Sequence, residues 1–211
     1  MKPKNRNTNK KRESILNAAM QAFGDQGYDK TSMDHIAEIA AASKRTVYNH
    51  FQSKDDLFQA VIEKFSIEMH SLKQIRYDAA RSLEEQLGEF AEAELALVNN
   101  PIWMGFMKAL LIMFIRDPEM ARKSMTKYAN TEDALAAWLQ AAARDGRLAI
   151  EDHQLAARVF WSMLGGAFTW PAVYQGFLEP QSAQVLKKEL IETYLCRYGK
   201  QGLKAYMPIK G

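Results

Sequence analysis

Between Lys44 and Lys54 the chain gathers an ammonium, a guanidinium, a hydroxyl, a phenol, a carboxamide and an imidazole: Lys44, Arg45, Thr46, Tyr48, Asn49 and His50, with Lys54 just beyond. Set on the outer side of a short helix, such groups can bond phosphates and base edges in a DNA major groove. Val47 and Phe51, four apart, give the same helix an inward face. Patterns for other chemistry are missing. His35, His50, His70 and His153 show no metal-ligand spacing and no cysteine beside them, so neither metal nor cofactor is expected. No Gly-x4-Gly-Lys phosphate loop and no dinucleotide glycine fingerprint occurs, and Gly165-Gly166 lies in a helical pattern rather than after a strand. An enzyme is not expected, and no residue is assigned a catalytic role.

The elements that must position these groups surround them. Thr31, Ser43 and Ser53 each read as a hydroxyl opening a helix, and Asp34, Asp55 and Asp56 place carboxylates in positive first turns. Met33, Ile36, Ala37 and Ala40 recur at i, i+3, i+4 and i+7, one buried face. Helix, short turn, outward-polar helix and capped third helix is the order of a DNA-binding helix-turn-helix. Upstream, Lys11 to Phe23 is an amphipathic helix with Ile15, Leu16, Ala19, Ala22 and Phe23 inward, which Gly24 and Gly27 are expected to end. Residues 1–10 are Lys, Asn and Arg without an apolar pattern, expected to be disordered. They are either a solvated tail or an arm that lies along the minor groove.

Ile36-Ala37, Ser43-Lys44, Thr46-Val47-Tyr48, His50-Phe51, Ser53-Lys54 and Leu57-Phe58 agree in register with a known pattern, as do Gly24, Gly27-Tyr28 and Thr31. They resemble the N-terminal domain of the tetracycline-repressor (TetR) family of bacterial transcription regulators. The likeness runs from about Lys11 to Phe65; the rest shares only the family's helical character. One departure is the turn Ala41-Ala42, where family members usually carry Gly-Val, since alanine suits an unusual turn conformation less well. The resemblance implies an all-α fold: a basic arm over 1–10, a three-helix DNA-binding domain over 11–56 with its motif at about 32–51, and a helical ligand-binding and dimerisation domain over 57–211. It implies a homodimer on a double-stranded palindromic operator, acting as a repressor that a small-molecule inducer releases. Helix face and resemblance together give the DNA-contact set Thr31, Lys44, Arg45, Thr46, Tyr48, Asn49, His50 and Lys54, with Lys54 placed on a phosphate by the resemblance.

The body is helical throughout. Leu57, Phe58, Val61, Ile62, Phe65 and Met69 stripe one long helix from Lys54 to about Leu72, the mechanical connector. Ile102 to Ile115 is apolar nearly all round and is expected to be buried. Trp103, Phe106, Met107, Met113, Phe114, Trp138 and Trp161 either line an adaptable inducer cavity or are ordinary core. Glu92 and Glu94 either offer a negative group to a cationic ligand or belong to a solvated helix face. The dimer seam is expected on the helices over 152–170 and 181–198, through Val159, Met163, Gly165, Gly166, Leu190 and Tyr194; packing within one chain is the alternative.

Composition sets the outer limits. A chain of 211 residues allows one or two domains. Net charge is +3, but residues 1–54 carry ten Lys and Arg against five Asp and Glu, whereas the remainder carries eighteen against twenty. The positive bias thus sits on the DNA-binding end. The single cysteine, Cys196, permits no intrachain disulfide, which suits a reducing compartment. The start is polar, and the longest apolar run, Ala109 to Ile115, is far shorter than the ~20 residues of a membrane helix. A cytoplasmic, nucleoid-associated protein without a membrane partner is expected. The rival class is a helical interaction protein whose basic head binds an acidic partner without operator specificity.

Overall fold

Ile15, Leu16, Ala18, Ala19, Ala22 and Phe23 all lie buried on one side of helix α1 (Lys4–Lys30). The computed structural model describes residues 4–69, 75–129, 134–176 and 179–200. After α1 come α2 (Met33–Ile39), α3 (Lys44–His50), α4 (Lys54–Met69), α5 (Leu83–Val98), α6 (Pro101–Arg116), α7 (Pro118–Ala129), α8 (Ala134–Arg144) and α9 (His153–Leu164). A π-turn, Gly165–Thr169, leads into α10 (Trp170–Gln175), and α11 (Pro180–Tyr198) follows. The fold is all-α; among the described residues β pairing is confined to one antiparallel bridge, Leu148 to Gly199.

Local chemistry starts most of these helices. Ser43 accepts from the Thr46 N–H at 3.1 Å, Ser53 from the Asp56 N–H at 3.0 Å and Asp152 from the Leu155 N–H at 2.9 Å. The cap of α2 is Ser32, accepting from the His35 N–H at 3.1 Å, and not Thr31 as expected. The basic segment differs as well. From Lys4 onward it is helical rather than disordered, because extending a helix already nucleated by the Ile15–Phe23 face is easier than starting one. Pro171 falls in the first turn of α10, directly after a π-turn, where its missing N–H is tolerated. The expected helix ends at Leu72 and Thr131 lie outside the described residues.

The chain divides into two compact units, Met1–Glu68 with Asn100–Asn130 and Met69–Asn99 with Thr131–Gly211. This differs from a single boundary at residue 56/57, because α4 and α6 pack with α1 and α7 follows on α6. In the first unit Phe58 meets Phe23 at 5.0 Å and Phe106 at 5.7 Å, while Phe65 stacks on Trp103 at 4.5 Å. Helix α1 crosses α6 glycine to glycine: a Cβ on Gly24 would stand 2.9 Å from the backbone of Gly105 and Phe106. Gly24 therefore does not end α1; it lets α6 in. The break falls at Gly27, whose φ of 77° glycine alone adopts easily. An Arg116–Asp29 pair at 2.5 Å spans the same two helices. Helix α6 is not buried all round. Trp103, Met104, Phe106, Ala109 and Leu110 are covered, but Ile102, Ile112 and Ile115 are exposed, because α1 and α4 flank one side only.

In the second unit the fully buried Gln86 is a hub. Its Oε1 accepts from the Asp78 N–H at 2.8 Å and the Trp138 indole at 3.2 Å, and its Nε2 donates to the carbonyls of Asp78, Arg81 and Ser82. Every polar atom of that side chain is thereby satisfied, as burial requires. Tyr194 packs edge-on against Phe160 at 5.0 Å and donates its hydroxyl proton to the Ala156 carbonyl at 3.1 Å.

Candidate nucleic-acid interface

The interface is built on α2, a tight turn and α3. The turn keeps its shape without glycine. Ala41 takes the left-handed conformation at φ 46°, and the Ala41 and Ala42 N–H groups donate to Glu38 at 3.1 Å and Ala37 at 3.0 Å. A Cβ in that region crowds the following carbonyl and costs about 1–2 kcal/mol, partly offset because alanine has less unfolded-state entropy than glycine. Ala41→Gly is therefore expected to stabilise the protein by roughly 0.5–1 kcal/mol, read as a higher urea midpoint. A lower midpoint would show that the turn is unstrained.

Two residues hold α3 down: Val47 is 0% and Phe51 2% exposed, and the Arg12 guanidinium sits 5.3 Å over the Phe51 ring. Lys44, Arg45, Tyr48 and Asn49 are exposed, while Thr46 and His50 are half-buried. The Thr46 hydroxyl shares a 2.8 Å hydrogen bond with that of Ser43 at the helix start. Lys44 pairs with Asp34 of α2 at 2.5 Å, and that hydrogen bond raises the ammonium above its ordinary pKa. Sequence reasoning assigned Asp34 only a first-turn role. The signal for the second was two opposite charges ten residues apart, bracketing a tight turn.

Lys54 turns back into its own chain. Its ammonium donates to the carbonyls of Tyr28 at 2.9 Å and Asp29 at 3.3 Å and lies 4.4 Å over the Tyr28 ring. It thus satisfies carbonyls at the end of α1. Thr31 leaves the contact set. It is 2% exposed, and its hydroxyl donates to the carbonyls of Ala22 and Gly27 at 3.1 and 2.7 Å, so the side chain has no free face for DNA.

The remaining site residues fall in both units. Trp103 and Phe106 are buried on α6, with Met107, Met113 and Phe114 half-buried along it. In the second unit Trp138 is buried and Trp161 half-buried, each edge-on to Phe90 at 6.1 Å. Val159, Met163 and Leu190 are half-buried. A Cβ on Gly165 or Gly166 would meet nothing within 4 Å, so packing within the chain does not require these glycines. Tyr194 is withdrawn from the seam, because it is 1% exposed and committed to its own chain's core. Among the described residues no cluster of His, Cys, Asp and Glu could hold a metal ion.

This geometry, an exposed polar α3 locked by a capped turn, matches known proteins. The profile described as bacterial regulatory proteins, tetR family, matches residues 15–61, and that of the AefR-like transcriptional repressor C-terminal domain matches residues 85–200. A TetR family regulator of Pseudomonas syringae pv. tomato is 32% identical, with 90% of this chain and 97% of that one covered at a TM-score of 0.71. The flavonoid-responsive regulator FrrA is 26% identical, with 92% of this chain and 99% of that one covered at a TM-score of 0.65. The transcriptional activator FasR of Mycolicibacterium smegmatis is 43% identical over 54 residues, 26% of this chain and a quarter of FasR's own length. The chain belongs to the TetR family of bacterial transcriptional regulators, whose members bind DNA through this helix-turn-helix.

Proposed function

We propose that the protein is a homodimeric repressor that reads a palindromic operator through Arg45 and Thr46 of α3 and leaves it when a small molecule binds. The observation that carries the reading is the face of α3: Val47 and Phe51 inward, and an unbroken row of donors and acceptors outward. Arg45 and Thr46 are assigned to base edges, and Lys44, Tyr48, Asn49 and His50 complete the contact surface. Lys54 adds its charge beside the backbone while bracing α1. Pairing two heads supplies the affinity that one short helix lacks.

The open space at Gly165 and Gly166 and the exposed Trp170, Tyr174 and Val185 favour the α9–α11 side as the seam. Gly165→Leu is expected to convert dimer to monomer in sedimentation velocity at micromolar concentration. An intact dimer would move the seam elsewhere.

A repressor's direction is supported by the AefR-like match, while the FasR match shows that a similar head also serves an activator. Ligand response is supported by the flavonoid-responsive relative. Within the first unit, α4 and α6 are joined through Phe65, Trp103 and Phe106, so a shift of α6 would move the connector and with it the head. No single helix among the described residues is long and apolar enough to cross a membrane. An operator reader of this kind works at the nucleoid, in the cytoplasm. The test is selection of bound sites from random-sequence DNA. A two-fold symmetric consensus with half-site centres about 34–36 Å apart, or a multiple of that spacing, is expected; recovery of no consensus would favour the acidic-partner reading.

A further inference from the structure

The Lys44–Asp34 pair stands at the start of the reading helix. Lys44 is the first residue of α3 and Asp34 the second of α2, and their side chains meet across the tight turn at 2.5 Å while staying 67% and 50% exposed. Both ends are anchored. Ser32 caps α2 and Ser43 caps α3, and Met33, Ile36, Val47 and Phe51 are buried behind the pair. An ion pair this exposed adds little stability. Its bonding capacity is mostly unspent, because an ammonium has three donors and a carboxylate about four acceptor sites, and one hydrogen bond uses one of each. A carboxylate is also ill suited to a surface that meets only phosphates. It repels them, and it cancels the charge with which Lys44 would attract them.

Resting on the operator reading, we infer that Asp34 is a specificity-determining residue, and that it and Lys44 together read one G·C base pair in each half-site. The N-terminal residues of a recognition helix are the ones that reach base edges. In the major groove guanine offers O6 and N7 as acceptors, and its cytosine offers the N4 amino group as a donor. An ammonium with a carboxylate beside it is the complement of that edge: Lys44 donates to guanine and Asp34 accepts from cytosine. An A·T pair fits less well, since its one donor, adenine N6, has a single acceptor on either side, N7 or thymine O4. A phosphate fits worst, because it must displace the carboxylate or face it. The pair therefore favours base edges over backbone, whereas a lone Lys44 would take either.

The test is selection of bound sites from random-sequence DNA by wild type, Asp34→Ala and Lys44→Ala. The wild-type consensus is expected to hold one G·C pair per half-site, preferred about 5- to 150-fold over A·T, which both variants make degenerate while the other positions stay. On scrambled duplex Asp34→Ala should bind more tightly, with a salt slope steeper by about 0.9, as the freed Lys44 finds a phosphate. Should circular dichroism show that Asp34→Ala does not fold, wild-type protein on modified operators decides. 7-Deazaguanine, which lacks N7, and N4-methylcytosine, which lacks the proton facing the groove, should each weaken binding at one and the same G·C pair; unaltered binding at every pair overturns the inference. Different positions for the two variants, a consensus that neither changes, or an A·T pair at the shared position also overturns it, while leaving α3 an operator reader. A wild-type selection without any consensus overturns the operator reading, and the inference with it.

Discussion

Gly24→Leu is expected to destabilise the protein by about 3 kcal/mol or more, at the upper end of what overpacking costs. The β-carbon alone would stand 2.9 Å from two backbone atoms of Gly105 and Phe106, and backbone cannot swing aside as a flexible side chain can. Helix propensity acts the other way, since glycine within a helix is about 1 kcal/mol worse than alanine. The contact wins, because relieving it means separating α1 from α6 along a line that buries Phe23, Phe58 and Phe106. Urea unfolding followed by circular dichroism measures it. A midpoint equal to that of the wild type would show that the two helices are not in register at these glycines. The same variant reports on function, because α1 is part of the DNA-binding unit and α6 is the helix it is fixed to.

Arg45→Ala is expected to weaken binding to the selected operator by about 1–3 kcal/mol, roughly 5- to 150-fold, with a much smaller loss on random DNA. Arg45 is exposed at the start of α3 and makes no ion pair among the described residues, whereas its neighbour Lys44 is tied to Asp34. The guanidinium is therefore available as a fork for a base edge. Fluorescence anisotropy on operator and scrambled duplexes separates the two roles. Equal losses on both would make Arg45 a backbone contact and pass base reading to Thr46, Tyr48 and Asn49.

The head was legible because its signals are local. Ser43 and Ser53 announce helix starts within three residues, and the spacing of Met33, Ile36, Ala37 and Ala40 is enough to name a buried face. Thr31 failed for a reason equally local but undecidable in one dimension. Two adjacent hydroxyl residues, Thr31 and Ser32, precede α2, and only the chain's path shows which one caps it and which one bonds back to Ala22 and Gly27. What the sequence hid is what depends on distant partners. Gly24 reads as a helix stop until Gly105, eighty-one residues later, is seen against it. Lys54 reads as a free cation until the carbonyls of Tyr28 and Asp29 are placed. Glu92 and Glu94 look alike in the sequence, and they separate only when α11 and the π-turn are put beside them.

The most direct test of the central claim, that α3 reads a base sequence, is competition binding at two salt concentrations. Labelled operator, drawn from the selection, is challenged with unlabelled operator and with scrambled duplex at about 50 and then about 200 mM salt. Phosphate contacts weaken steeply for both duplexes as counterion release loses its advantage, while base contacts do not depend on it in that way. If α3 reads bases, both affinities fall and the operator keeps an advantage of about 10³-fold or more at the higher salt. Loss of all preference between operator and scrambled DNA would contradict it and leave only a basic head for acidic partners.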